Sequence, residues 1–125
     1  MIEATFGDPD LEQFIIRSAE ILIRFYLGMV EPDELLILAN DEMEPVGRVF
    51  KNGDVGYMIE LRLENRTREE IFWTLAHELV HVRQFQEQDL ENQLDKRIPY
   101  QERWWEIEAD KIVNELPDYC YYVTK

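Results

Sequence analysis

The stretch that most constrains this chain is Thr74-Leu75-Ala76-His77-Glu78-Leu79-Val80-His81, which holds its only two histidines. They stand four apart, with a glutamate directly after the first. On a helix, positions i and i+4 share a face, so both imidazoles can turn to one ion while the glutamate projects beside it. Leu75, Ala76, Leu79 and Val80 are apolar, which predicts that the other faces of this helix are buried. Imidazoles on a buried helix need polar partners. Zinc meets that need, because it takes neutral imidazole nitrogens and leaves a position open for water in catalytic sites. The pattern reads as zinc hydrolysis chemistry, with His77 and His81 as ligands and Glu78 holding the water.

The helix that carries the motif announces its own start. Thr67-Arg68-Glu69-Glu70 is a capping box, with Thr67 as N-cap and Glu70 three positions on. The spacing predicts a helix from about Arg68 to Glu87, with Trp73, His77, His81 and Phe85 in one stripe. Phe72, Ala76, Leu79 and Val80 supply its other buried contacts.

Upstream, Asp8-Pro9 opens an amphipathic helix whose apolar face is Leu11, Phe14, Ile15, Ser18, Ala19, Leu22, Phe25 and Tyr26. Gly28 is its C-terminal cap, and its expected role is scaffolding. Glu34–Ala39 is a continuous apolar run and reads as a buried strand. Val46–Lys51 and Asp54–Leu63 read as a hairpin around Asn52-Gly53. In the second of these strands Tyr57, Ile59, Leu61 and Leu63 form a core face, alternating with Met58, Glu60, Arg62 and Glu64. Residues 86–98 form a polar connection, and Pro99 precedes a second helix over about Gln101–Leu116, stopped by Pro117. The tail, residues 118–125, carries Tyr119, Tyr121 and Tyr122 and is expected to add a strand or lie across a cleft. There are no repeats or linkers, so 1–125 is expected to form a single α+β domain: an N-terminal helix, a small twisted sheet of about three strands, the histidine helix and a last helix.

Charge and cysteine content narrow the function. A formal net charge of −14 disfavours nucleic acid and anionic membrane surfaces as partners. The one cysteine, Cys120, allows no intramolecular disulfide and suits a reducing compartment. Residues 15–30 are apolar-rich, but Arg17, Glu20 and Arg24 interrupt them, so no membrane insertion is expected. With no basic and apolar leader at the N-terminus, the expected setting is a soluble protein of the cytoplasm.

Two histidines leave a catalytic zinc one protein ligand short. In Trp104-Trp105-Glu106-Ile107-Glu108-Ala109-Asp110, Glu106 and Asp110 are four apart and share a face. Glu106 can bind the metal while Asp110 accepts a hydrogen bond from a ligand histidine. Ala109 is small enough to let the two helices approach. Glu108 is the competitor, although it points roughly 200° away from Glu106. Glu102 and Cys120 are weaker alternatives.

His77-Glu78-x-x-His81 followed by Glu106-x-x-x-Asp110 resembles the gluzincin metallopeptidases. The Glu-x-Glu-Ala-Asp form is similar to integral-membrane gluzincins that process prenylated and misfolded proteins, and the chain's size and element order are similar to their soluble relatives, the minigluzincins. Phage-encoded and antirepressor-cleaving His-Glu-x-x-His proteins look similar on the same residues. The resemblance implies a zincin-like fold and a zinc metalloendopeptidase acting on peptide or protein substrates. It implies one zinc per chain on His77, His81 and Glu106, Glu78 as general base and Asp110 as the orienting carboxylate. The family also supplies a tyrosine or histidine that stabilises the oxyanion. No histidine remains for that role, which stays open among Tyr57, Tyr100, Tyr119 and the other tyrosines.

Two other readings compete. In one, the chain binds zinc without turnover, latent because its own tail fills the cleft. In the other, it is an adaptor that meets a basic partner through its acidic surface. Trp73, Trp104 and Trp105 are expected to pack between the two site helices rather than to form a substrate pocket.

Overall fold

Four strands, Ile2–Thr5 (β1), Glu34–Ala39 (β2), Gly47–Asn52 (β3) and Gly56–Leu61 (β4), form one mixed sheet in the order β1-β2-β4-β3. The computed structural model describes residues 1–54 and 56–124. β1, β2 and β4 run parallel, and β3 returns antiparallel to β4. Four helices complete the α+β domain among the described residues: Pro9–Ile21 (α1), Arg68–Glu87 (α2), Trp104–Glu115 (α3) and Tyr119–Thr124 (α4). None is long and apolar enough to cross a membrane.

The sheet has one strand more than the sequence predicts. β1 is only four residues long, alternates half-buried Ile2 and Ala4 with exposed residues, and pairs with Leu35–Leu38 across α1. A pairing between segments some thirty residues apart leaves no local pattern to read. The strand Glu34–Ala39 falls where its apolar run predicts, with Leu35 and Ile37 fully buried. The hairpin is also present, with each strand trimmed or shifted: β3 is Gly47–Asn52 and β4 is Gly56–Leu61. Gly53 takes φ +79° in the turn, a conformation that favours glycine, and Asn52 still pairs with Gly56. Val55 lies outside the described residues. The alternation of β4 holds, with Tyr57, Ile59 and Leu61 buried and Met58 and Glu60 partly exposed.

α1 and α2 cover the core face of the sheet. Asp8 caps α1 by accepting from the Leu11 N–H, and Pro9 sits in its first turn. The helix continues as a wide π turn over Leu22–Tyr26 and stops at Gly28, φ +56°. The wider turn shifts the phase of the apolar face. Ile23 and Leu27 are buried in consequence, while Phe25, expected on the core face, is 70% exposed. α2 spans the residues its capping box predicts: the Thr67 hydroxyl accepts from Glu70 N–H at 3.1 Å, and the Glu70 carboxylate accepts from Thr67 N–H at 2.8 Å.

The last helix of the site, α3, is shorter than the predicted 101–116. Tyr100–Glu102 forms a separate turn, and Arg103 stays extended at ψ 110° before α3 begins. The described part of the tail, residues 118–124, is neither a strand nor a cover for the cleft. It folds as α4 against α1, where Tyr121 meets Phe14 and Phe72 edge-on and Arg17 Nε donates to the Thr124 carbonyl. Cys120 is fully buried there. Tyr121 and Cys120 are drawn to the apolar groove beside α1, so the described tail leaves the cleft open.

The sheet closely approaches α2 at Gly47. A Cβ built there falls 2.6 Å from Thr74 Cγ2 and 3.1 Å from Glu78 Oε2. Gly47→Ala is therefore expected to push β3 off α2 and to destabilise the protein by about 1–3 kcal/mol. Urea melts of the two proteins measure this; unchanged stability would mean that the strand has room to retreat.

Candidate metal centre

One cleft, of about 1240 Å³, runs between β3, α2 and the segment leading into α3. Trp73, His77, His81 and Phe85, the predicted stripe of α2, all line it. Its floor carries the donors. His77 Nε2 lies 2.9 Å and His81 Nε2 2.8 Å from the same oxygen of Glu106, and the two Nε2 atoms are 3.1 Å apart. These three residues can hold a metal ion, and they are the only such group of His, Cys, Asp or Glu among the described residues.

The far side of each imidazole decides what these nitrogens offer. His77 Nδ1 is 3.3 Å from Asp110 Oδ1. His81 Nδ1–H donates to Gln84 Oε1 at 2.7 Å. The Gln84 amide cannot be reversed, because its NH₂ already donates to the Trp105 carbonyl at 2.9 Å and to Glu108 Oε1 at 3.0 Å. Both Nδ1 atoms thus face acceptors, and a neutral ring with a proton on Nδ1 presents a lone pair at Nε2. Two lone pairs and a carboxylate oxygen then converge on one point, an arrangement that calls for a cation.

Protons compete for that place. Burial lifts the Glu106 carboxyl, but hydrogen bonds from His77 and His81 outweigh it and hold the group at about 2. Burial works against charge on His81, yet its bond to Glu106 and the neighbouring Glu78 raise it above the usual imidazole value. The Glu78 carboxyl is pushed up by burial, which the two histidines counter only in part.

Every candidate carboxylate now has a place. Glu106 joins the histidines, and Asp110 stands behind His77. Glu108 faces away from the donors, accepting from Gln84 and, at 3.4 Å, from Gln88. Neither Glu102 nor Cys120 belongs to the donor group. Of the tyrosines discussed above, Tyr100 alone lines the cleft; its hydroxyl is 3.5 Å from Asp110 Oδ2. Burial and the charges of Glu106 and Asp110 push that hydroxyl's pKa up, so it stays protonated. Tyr57 instead packs against Phe85, and Tyr119 against Tyr26. The tryptophans depart from expectation: Trp104 and Trp105 pack edge-on, but Trp105 and Trp73 also line the cleft.

Sequence reasoning passed over Gln84. It is fully buried and lies three residues after His81 on the same helix. A glutamine in the buried stretch of α2 was the available signal, since a buried amide needs partners. Gln84→Leu is expected to lower metal affinity about 10–100-fold by freeing the His81 ring. Competition with a chromogenic chelator measures it, and unchanged affinity would deny Gln84 its orienting part.

The cleft also exposes backbone. β4 is central in the sheet, because β2 occupies its second side. β3 is the edge. Arg62 N–H donates to the Val46 carbonyl at 3.0 Å, so the pairs Arg48–Glu60 and Phe50–Met58 turn their backbone groups inward. Gly47, Val49 and Lys51 consequently point N–H and C=O groups at the open edge beside the cleft.

Compared with known protein families, with curated proteins and with solved structures, the chain matches none.

Proposed function

We propose that this chain is a zinc-dependent metallopeptidase of the gluzincin type, with a zincin-like fold similar to that of the minigluzincins. One observation carries the reading: His77, His81 and Glu106 aim three donor atoms at a single point, with the buried carboxyl of Glu78 on the same helix. Zinc fits these donors in kind and in spacing. Two imidazoles and a carboxylate suit it. Bonds of about 2.0–2.1 Å would set tetrahedral donors about 3.3 Å apart, a few tenths of an ångström wider than the separations of 2.8, 2.9 and 3.1 Å found here.

When bound, zinc supplies a Lewis acid that polarises the scissile carbonyl and lowers the pKa of a water toward ~7. The remaining steps belong to the protein. Glu78 accepts a proton from the attacking water and returns it to the leaving amine. Its burial helps, because a raised pKa brings a carboxylate closer to the working range of a base at neutral pH. Asp110 and Gln84 hold the two imidazoles in the tautomer that presents Nε2. The Tyr100 hydroxyl donates to the developing oxyanion, so Tyr100→Phe is expected to lower kcat about 10²–10³-fold with little change in KM. Steady-state kinetics of the two proteins test this; an unchanged kcat assigns the role elsewhere. The substrate lies as an added strand on the open edge of β3, pairing with Gly47, Val49 and Lys51.

The test combines metal analysis with hydrolysis. The purified protein should carry one zinc per chain and cleave an unfolded protein such as casein, lose both on exhaustive chelation, and regain both when zinc is restored. A chain that takes up no stoichiometric metal when zinc is supplied would sink the reading.

A further inference from the structure

We propose that Arg66 is a subsite for a carboxylate carried on the C-terminal side of the scissile bond. The inference rests on the peptidase reading above and on β3 as the strand that receives substrate.

Five basic side chains line the cleft of a chain whose net charge is −14. Two are answered by carboxylates, Arg48 by Glu60 and Lys51 by Glu91. Arg103 is turned away onto the carbonyls of Ile98 and Lys96, and Lys96 itself is exposed. Arg66 is different. It is partly buried and forms no ion pair among the described residues. Neutral oxygens fix its guanidinium in place: the carbonyls of Arg62 at 3.1 Å and Glu70 at 3.2 Å, and the Thr74 hydroxyl at 2.7 Å. Glu70, the acid whose charge acts on it, is engaged in the α2 cap. Arg62 adds a second positive charge close by, and Asp41 lies within its electrostatic reach. A guanidinium held by neutral groups at the wall of a cleft keeps its charge, and with three of its N–H groups engaged it has Nε–H and one Nη1–H left for an incoming anion.

Position along the substrate follows from the strand. The stronger pairing for a peptide on β3 is antiparallel, which sends the peptide's C-terminal half toward Gly47. Gly47 lies against Thr74 and Glu78, and Arg66 is bonded to Thr74. Thr74 precedes the midpoint of His77 and His81 by about five positions, roughly 7.5 Å along the helix. That distance is about two residues of extended chain. The carboxylate is therefore the side chain of an acidic residue about two positions beyond the cleaved bond, or the terminal carboxylate of a peptide ending there.

Four hydroxamate probes distinguish these sources. Each anchors to zinc and extends through leucine to glutamate or glutamine, ending as an acid or an amide. Their affinities for the zinc-loaded full chain, for Arg66→Lys and for Arg66→Gln are measured by calorimetry at fixed physiological salt, where charges farther than about 8 Å away are largely screened. The carboxylate-bearing probes are expected to bind wild type about tenfold more tightly than the glutamine amide. The preference should survive in Arg66→Lys and fall to about twofold or less in Arg66→Gln. A gain from glutamate but not from the terminal acid identifies a side-chain subsite; the reverse identifies a terminal one. Equal binding of all four probes to wild type overturns the proposal, as does a preference unchanged in a folded Arg66→Gln. If no probe binds, the peptidase reading falls and this inference falls with it. If all bind without preference, only the Arg66 subsite is lost.

Discussion

Glu78→Gln is expected to keep the metal and lower peptide hydrolysis by about 10²–10⁴-fold or more. The substitution is nearly isosteric, so the tight contact with Gly47 is preserved. What changes is proton chemistry: an amide oxygen accepts a hydrogen bond but cannot take a proton and deliver it to a leaving amine. Glu78 is 6% exposed, and burial pushes the pKa of its carboxyl up. Burying that charge costs stability, so the glutamine variant should melt at the same or a higher temperature than wild type. Lost turnover with undiminished stability separates a catalytic group from a structural one. Metal content and kcat/KM measured on the same preparations decide the matter, and retained turnover in a metal-replete variant would remove Glu78 from the proton path.

Glu106→Ala should abolish stoichiometric metal, whereas Glu108→Ala should retain it. Removing Glu106 takes away one of three donors, an effect larger than the roughly 10–100-fold typical of an orienting residue. It also leaves the two Nε2 atoms, 3.1 Å apart, without the carboxylate they share. Glu108 reaches the donor group only indirectly, through Gln84 to His81. Its loss leaves the Gln84 amide still held by the Trp105 carbonyl at 2.9 Å. Mass-spectrometric zinc-to-protein ratios compare the two variants directly. Equal loss in both would mean that Glu108 is essential to the site, and equal retention would mean that Glu106 is not a ligand.

The difference between these two carboxylates is legible in the sequence alone, and the reason is local. A helix spaces its side chains by 100° per residue, so Glu106 and Asp110 must share a face while Glu108 turns away. The same periodicity places His77 and His81 together, and the Thr67–Glu70 cap fixes where their helix begins. The pairing partner of β4, the π turn that turned Phe25 outward, and the docking of the tail were not legible in this way. Each depends on which apolar surfaces compete for the same cover. Tyr121 and Cys120 favour the groove beside α1 over the cleft because Phe14 and Phe72 are there to receive them.

By itself, then, the sequence determined the helix of the paired histidines, its capped start, the carboxylate face of the second helix and the core face of β4. All of these follow from interactions between residues one to four apart. Only the tertiary structure decided that Glu106, 29 residues from His77, reaches both imidazoles, that β3 rather than β4 borders the cleft, that Gly47 lets it approach α2, and that Trp105 and Glu108 fix the Gln84 amide with its oxygen toward His81. These are contacts between segments distant in the chain. They are set by the packing of the whole domain, which local spacing does not encode.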